Sequence, residues 1–348
     1  MQNSAQDVYI TSKCEGSLKK LAMSWAPINY EYISLKGNDY ETKKDLLCPV
    51  NFECYSAARA GNAYDENTCW DTRIVRQRLK NADFATLTAS AYFSIAITET
   101  HYFILYAYHH ADDDTHPSDL EGCMLILEKN NERPLLLGMI TVAHYDFVPY
   151  TFDGRMRVRS HPVWQTYFKM EVEEEIEGDH ALIEQAQGKH SLFALSPYIG
   201  WMEKIVRWVR SLGGMPEDVI VYYAGETANE YTKERLYRGK GTPHNPTFYY
   251  ELIDILDPKN GLYDRYVDAV KNGGNETFTA TGAFNNVDTI GGSANGPWLW
   301  RPGPTIGEGP VKSMMWDSPA ELASEMFEPA AGRKQFSTAY LKKMNQKM

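Results

Sequence analysis

The stretch Phe103–Lys129 reads F-I-L-Y-A-Y-H-H-A-D-D-D-T-H-P-S-D-L-E-G-C-M-L-I-L-E-K. It starts with an apolar, aromatic run, Phe103–Tyr108, and a second apolar run, Cys123–Leu127, lies near its end. Each run has the length and composition of a buried strand. Three histidines, four aspartates and a glutamate lie between the two runs. A chain reversal does not need so many ligand-type side chains, so the sequence predicts a functional loop here.

Further strand patterns continue outward from this hairpin. They occur at Ala89–Thr98, Leu135–His144, Phe147–Tyr150, Ala181–Ala186 and Asp218–Ala224. Short turns between successive apolar segments are typical of a meander with one buried face. We therefore expect a mainly β fold, an antiparallel β-sandwich with added α-helices (α+β).

Helical patterns occur mostly in the second half of the chain. They occur at Trp201–Leu212, Phe248–Leu256, Tyr263–Val270 and Ser318–Met326. At 348 residues, one elaborated domain and two domains both remain possible. Our preferred division has an N-terminal helical or irregular segment, 1–84, packed on the core. It is followed by a single sandwich domain, 85–330, with a helical insertion at about 200–270, and a tail, 331–348.

Composition limits the classes of partner. The formal net charge of −11 makes nucleic acid an unfavourable partner, because phosphate binding needs clustered Lys and Arg. The acidity is compatible with cation binding. The 23 Tyr and 8 Trp suit both a β-rich core and stacking on sugar rings. The composition is therefore compatible with a small-molecule or carbohydrate ligand.

The sequence leaves the compartment open. No 18-residue apolar run is present, so we expect a soluble protein without a transmembrane segment. The five cysteines are an odd number and lack zinc-ligand spacing. Free thiols in a reducing cytoplasm are one interpretation, and secretion after removal of a signal peptide is the other.

Asp112, His116, Asp119 and Glu121 form a candidate metal site within the loop. Carboxylates with one imidazole suit Mg²⁺, Ca²⁺ or Mn²⁺, and the lack of thiolates argues against structural zinc. Asp119 and Glu121 are two residues apart, so both side chains leave an extended segment on the same face. The alternative interpretation is an acidic surface loop that holds only water.

The order of residues in this loop resembles the necrosis- and ethylene-inducing toxin family. The similarity covers Tyr108–Asp112 and His116–Glu121. In that family an aromatic strand ends in Asp and is followed by the heptapeptide G-H-R-H-D-W-E. The resemblance implies that the four candidate residues hold a divalent cation and that the ligand is a glycan or glycolipid. Thr115, Ser118 and Leu120 depart from the heptapeptide.

A related vacuolar protein sorting-associated family is similar in its order of motifs. That family has a G-D-W-E core, then A-H, then G-S-H. The counterparts here are Asp119–Glu121, Ala143–His144 and Gly188–Ser191. The Trp-rich segments Pro297–Trp300 and Met315–Pro319 are also similar to its C-terminal part.

His144 and His190 support an alternative function, because each follows an apolar strand and could project toward the loop. Beside a metal-bound water they would act as general acid and base, with Asp146 orienting His144. The protein would then be a metal-dependent hydrolase or lyase acting on a small molecule or ester. Strand-end histidines are also common as hydrogen-bonded structural residues. Our leading prediction remains a divalent-metal-binding protein that recognises a glycan or lipid headgroup, and a cation that only stabilises the loop is a third possibility.

Overall fold

The computed structural model describes residues 14–35, 39–50, 52, 75–114, 117–143, 146–159, 176–177, 180–195, 218–237, 246–264, 296–300 and 314–347. The helices are α1 (Cys14–Trp25), α2 (Asp39–Lys44), α3 (Val75–Asn81), α4 (Lys233–Leu236), α5 (Met314–Asp317) and α6 (Pro319–Met326). The strands are β1 (Ile28–Ile33), β2 (Ser90–Thr98), β3 (His101–Asp112), β4 (Pro117–Glu128), β5 (Leu135–Ala143), β6 (Asp146–Thr151), β7 (Met156–Val158), β8 (Ile176–Glu177), β9 (His180–Gln185), β10 (Leu192–Ala194), β11 (Asp218–Gly225), β12 (Thr247–Asp254), β13 (Phe327–Pro329) and β14 (Tyr340–Lys342). Short 3-10 turns lie at Phe84–Thr86 and Pro297–Leu299.

Twelve strands form one large mixed sheet in the order β10-β9-β1-β11-β12-β2-β3-β4-β5-β6, with β14 on β2 and β8 on β9. The pairs β1/β9, β11/β12 and β12/β2 are parallel, and the others in this sheet are antiparallel. Because β10 also approaches β5, the sheet curves until it nearly closes on itself. β7 and β13 form a separate two-stranded ribbon.

The structure confirms a mainly β fold, but the sheet is mixed, so it is not clearly the expected antiparallel sandwich. The antiparallel meander holds from β2 to β6, where each strand pairs with its neighbour in sequence. The parallel pairs join segments that are far apart in the chain, which a local hydrophobic pattern does not reveal. β1 and β14 lie within this sheet, so the two ends of the described chain each supply a strand.

One predicted helix is wrong. The range 248–256 lies largely in β12, which is parallel to both of its neighbours. Phe248, Tyr250 and Leu252 are buried on alternate positions, as in a strand with one face in the core. The predicted helix near Ser318 is confirmed as α6. The predicted helix Trp201–Leu212 and nearly all of Tyr263–Val270 lie outside the described residues.

The ladder between β3 and β4 positions the candidate site. Every residue of β3 is buried, and its register with β4 pairs Tyr108 with Glu121 and His110 with Asp119. A Cβ on Gly122 would lie 2.2 Å from the Tyr106 carbonyl oxygen and 2.4 Å from the Trp300 ring, so only glycine fits there. The polar residues at the loop end of the ladder thus follow directly on a tightly packed, buried part of the same two strands.

Two apolar clusters cover the faces of this ladder. One includes Tyr106, Tyr108 and Leu125, and the other includes Leu105, Met124 and Trp316. Side chains alternate between the two faces of a strand. At the loop end, the polar residues on each face are therefore next to the apolar cluster of that face. In the part of the chain that the structure describes, no helix is long and apolar enough to cross a membrane.

Candidate functional site

His109 and His110 lie on opposite faces of β3. His109 has Nε2 at 2.9 Å from Ser118 Oγ and Nδ1 at 2.9 Å from the Cys48 carbonyl oxygen. His110 pairs in register with Asp119 and belongs to the other face. Burial lowers the pKa of His109 to about 4 and that of His110 well below its ordinary value, so both rings are neutral. Only His110 therefore shares a face with Asp119 and Glu121.

His190 is held between two carboxylates. Its Nδ1 lies 3.0 Å from Asp119 Oδ2 and its Nε2 lies 3.4 Å from Asp45 Oδ1. Burial alone would lower the pKa of this fully buried ring, but the hydrogen bonds to Asp119 and Asp45 raise it to about 10. His190 is therefore an imidazolium that neutralises part of the buried negative charge.

The turn between β9 and β10 sets the position of His190. Gly188 and His190 both have positive φ, at 73° and 50°. The Gly188 N–H donates to Asp45 Oδ1 at 3.0 Å, and the Asp114 N–H donates to the Gly188 carbonyl oxygen at 2.9 Å. The imidazolium of His190 stacks on the His110 ring, with centroids 3.7 Å apart and planes 4° from parallel. The turn thus attaches the β9–β10 hairpin to the loop end of β3 and β4.

Asp112, at the end of β3, is already paired with basic and hydroxyl donors. Arg76 Nε lies 2.8 Å from both Asp112 carboxylate oxygens, and its Nη2 lies 2.7 Å from Oδ1. The Tyr40 hydroxyl also donates to this carboxylate. Asp112 is 2% exposed. Tyr40 on α2 and Arg76 on α3 therefore cover the carboxylate. The Arg76 guanidinium supplies a positive charge where a metal ion would otherwise do so.

The neighbouring aspartates have basic partners too. Lys44 Nζ lies 2.5 Å from Asp114 Oδ1, and Lys189 Nζ lies 3.4 Å from Asp113 Oδ1. Asp113 is buried, whereas the Asp114 side chain is about half exposed. The D-D-D run thus spreads its three charges over three separate basic side chains.

Two groups of side chains in the described ranges have the spacing of a metal site. Asp113, Asp119 and His190 each offer a ligand atom within 4.8 Å of the other two, and all three are buried. Glu31, His110 and His190 form a second group with the same spacing. Burial raises the pKa of Glu31 well above its ordinary value. Both groups include His190, which must lose its proton to ligate a metal, but the second group needs the protonated Glu31 to do so as well. The first group is therefore the better candidate.

The structure brings together only some of the residues predicted from the sequence. Asp119 contacts His190, and Glu121 lies two residues further along the same face of β4. Asp112 lies on this face too, but its carboxylate is held by Arg76. His116 and His144 lie outside the described residues, and of Asp146 only its place at the start of β6 is described.

Sequence reasoning missed Asp45, Asp113 and Glu31 as members of the site. Asp113 lies within the D-D-D run and could have been included for that reason. Asp45 follows two lysines at the end of α2, and Glu31 lies in a mostly apolar strand. Neither has a local signal, because each reaches the site only through the fold.

Comparisons with known proteins give matches among solved structures alone. No family profile matches the chain, and no curated protein matches it either. Non-toxic HaNLP3 is 16% identical, over 31% of this chain and 46% of that chain, with a TM-score of 0.23. Necrosis and Ethylene inducing Protein 2 from the causal agent of cocoa's Witches Broom disease is 14% identical, over 50% and 66%, with a TM-score of 0.26. NLPPya in complex with glucosamine is 14% identical, over 80% and 83%, with a TM-score of 0.30.

These structures are necrosis- and ethylene-inducing proteins or carry NLP names, which is the toxin resemblance seen in the loop sequence. The chain spans less than two thirds of the length of the first two. TM-scores so far below 0.5 mean that the superimposed backbones differ widely, so they define neither the fold nor the ligand of this chain. The glucosamine belongs to NLPPya.

Proposed function

We propose that this chain is a divalent-cation-dependent protein that recognises a glycan or lipid headgroup at the loop end of β3 and β4. The observation that carries the proposal is the convergence of Asp113, Asp119 and His190, which are buried and have ligand atoms within 4.8 Å of one another. His190 would release its proton when it ligates the cation. Buried carboxylates need a compensating cation, whether a side chain or a metal ion. The loop's resemblance to the toxin family supports the same site.

The donor set fits a hard divalent cation in chemistry. Asp113 and Asp119 supply oxygens, and Asp112, His116 and Glu121 complete the set that the resemblance implies. When bound, the cation would supply positive charge for the hydroxyl oxygens of a sugar or for an anionic headgroup. The protein's own part is to hold Asp119 in place through His190 and to keep bulk water away from the buried carboxylates.

A test of cation binding is titration calorimetry of the full chain with Ca²⁺, Mg²⁺ and Mn²⁺. We expect saturable binding of at least one of these ions, and its loss in Asp119→Asn and in Glu121→Gln. Asp153→Asn is the matched control, since Asp153 lies in a distant exposed turn beside Arg155. Circular dichroism of each variant shows whether it is folded. Heats that are unchanged in folded Asp119→Asn and Glu121→Gln would contradict the site.

Ligand recognition needs a separate titration. Glucosamine is a suitable probe because NLPPya is described in complex with it. We expect binding in the presence of the cation and a loss of binding when a chelator removes it. Binding that persists at equal strength after chelation would contradict the cation-dependent part of the proposal.

The enzyme alternative has no specific support among the described residues. His190 is fully buried, and both of its ring nitrogens face carboxylates of the protein. A general acid or base must reach the proton that it transfers. The surroundings of His190 suit a structural role better, and the roles of His144 and Asp146 stay predictions.

A further inference from the structure

A cavity of about 690 Å³ lies away from the acidic loop, between α1, the end of β12 and the C-terminal segment. Its lining includes Leu18, Met23, Phe93, Ile253, Asp254 and Lys342. Small-molecule sites in proteins typically occupy roughly 300–1,000 Å³. None of the residues in the two candidate metal groups lines this cavity. It is therefore a separate candidate site of ligand size.

Lys342, the last residue of β14, lines the cavity. Lys342 is 8% exposed, and its Nζ donates to the Ile95 carbonyl oxygen at 2.9 Å and to the Lys343 carbonyl oxygen at 3.2 Å. Both of these acceptors are neutral backbone carbonyl oxygens. Lys342 is thus a buried lysine whose amine is held by neutral acceptors.

Burial disfavours the charged form of this amine. It lowers the pKa of Lys342 to about 8, although the charge of Asp254 acts in the opposite direction. A neutral amine has two N–H groups and one lone pair. Two carbonyl oxygens accept hydrogen bonds from Lys342, so both N–H groups are engaged and the lone pair remains for another reaction. Such an amine is a nucleophile near neutral pH.

We propose that Lys342 forms an imine with a small aldehyde or ketone that binds in this cavity. The Nζ lone pair adds to the carbonyl carbon, which gives a carbinolamine. Loss of water then forms the C=N bond, and the two amine hydrogens leave with the carbonyl oxygen. No oxidant or reductant takes part. The apolar side chains Leu18, Met23 and Phe93 favour a carbonyl compound with an apolar body.

Other charged groups around the cavity bear on the pH dependence of this reaction. They are Lys19 and Lys20 on α1, Glu226, Glu251, Asp254 and Asp257 around β11 and β12, and Lys347 near the C-terminus. The carboxylates favour the ammonium form of Lys342, and the other lysines favour the amine. We expect the rate of imine formation to rise steeply between about pH 7 and 8.5, because the neutral fraction of Lys342 grows there.

The experiment is reductive trapping on the full chain. Benzaldehyde and cyanoborohydride are added at pH 7.5, and peptide mapping by mass spectrometry gives the labelling rate of each lysine. Lys343 is exposed and adjacent in sequence, so it is an internal control. We expect Lys342 to react about tenfold faster than Lys343, because an ordinary lysine is almost wholly protonated at this pH. The rate at Lys342 should saturate with benzaldehyde concentration, as binding before reaction requires.

The outcomes separate clearly. Equal rates at Lys342 and Lys343, or labelling of Lys342 only in urea, would overturn the proposal, and so would a rate that stays linear in benzaldehyde. A Lys343→Arg variant should leave the saturation curve unchanged. A Lys342→Arg variant should lose the fast phase. The wild-type comparison alone decides the matter if that variant does not fold.

Discussion

Two buried histidines near opposite ends of the β3–β4 ladder differ in charge at neutral pH: His101 is neutral and His190 is positive. His101, where β3 begins, packs 4.8 Å from the Phe336 ring and 6.1 Å from the Phe103 ring, measured between centroids. Burial lowers its pKa to about 4, and the charges of Lys334 and Lys129 act in the same direction. At the loop end, two carboxylates raise the pKa of His190 to about 10.

The contrast shows that burial alone does not set the charge of a side chain. Both rings are inaccessible to solvent, and desolvation acts on both in the same direction. The carboxylates Asp119 and Asp45 reverse the outcome for His190. At one end of the ladder, a neutral ring packs against aromatic side chains. The other end concentrates buried charges that depend on one another.

The largest effect is expected from removal of the imidazolium. In His190→Asn, Asp119 and Asp45 lose the cation that lies between them, which should reduce the free energy of unfolding by about 3–5 kcal/mol. Asparagine tolerates the positive φ of 50° at this position, so the backbone is not the cause of the loss. Urea unfolding at pH 7 measures the change. A loss below about 1 kcal/mol would show that the pairs contribute little to folding.

The second prediction concerns pH and the opposite end of the ladder. His101 has a folded-state pKa of about 4, below the value of about 6.5 in an unfolded chain. The neutral ring therefore contributes stability that is present above pH 6.5 and is lost as the pH falls from about 6.5 to 4. The loss should reach about 3 kcal/mol at pH 4, and His101→Gln should lack it.

Urea unfolding of wild type and His101→Gln at pH 7, 5.5 and 4.5 tests this prediction. The stability difference between the two proteins isolates His101, because the carboxylates that titrate in this range are common to both. A difference that stays constant across the three pH values would mean that the His101 ring accepts a proton inside the fold.

The contrast also shows how far a sequence can take the argument. The strands from β2 to β6 are predictable because each carries its own apolar pattern and pairs with its neighbour in sequence. β12 is mistaken for a helix because the apolar pattern near its end fits a helix as well as a strand. Its parallel partners lie elsewhere in the chain, so the local sequence does not show the pairing. Pairing between distant strands has no local signature.

The same limit applies to the site. The position of Asp119 and Glu121 on one face follows from their spacing on a strand. His190 is 71 residues from Asp119 and 145 residues from Asp45, so its pairing with both depends on the finished fold. Arg76, which covers Asp112 from α3, is 36 residues from it, so this pairing also has no local signal. Local pattern thus predicts Asp119 and Glu121, but neither Asp45 nor the cationic side chains that balance the buried carboxylates.

The third prediction uses Arg76, whose guanidinium occupies both oxygens of Asp112. If a divalent cation binds beside Asp119, as proposed, Arg76→Ala should raise its affinity several-fold, roughly 1 kcal/mol, because a competing positive charge is removed. Calorimetry with the cation that binds wild type gives the comparison. Arg157→Ala is the control, since Arg157 is exposed on β7 and its loss changes the net charge equally. Equal gains in both variants would point to net charge instead of competition at Asp112.

The smallest effect is expected where the loop end meets solvent. Lys44 lies 2.5 Å from Asp114 and 2.8 Å from Glu41, but the side chains of Asp114 and Glu41 are 48% and 43% exposed. Water and salt screen such pairs, so Asp114→Asn should cost no more than about 0.5 kcal/mol, and the cost should vanish in about 1 M NaCl. Urea unfolding at low and high salt measures both values. Asp114 and His190 both contact the turn at Gly188. If Asp114→Asn reduced the free energy of unfolding about as much as His190→Asn, membership of the charge network would determine the cost, whether or not the pair is buried. A small, salt-sensitive cost would instead identify exclusion of water as the property that distinguishes the buried pairs of this end from its surface.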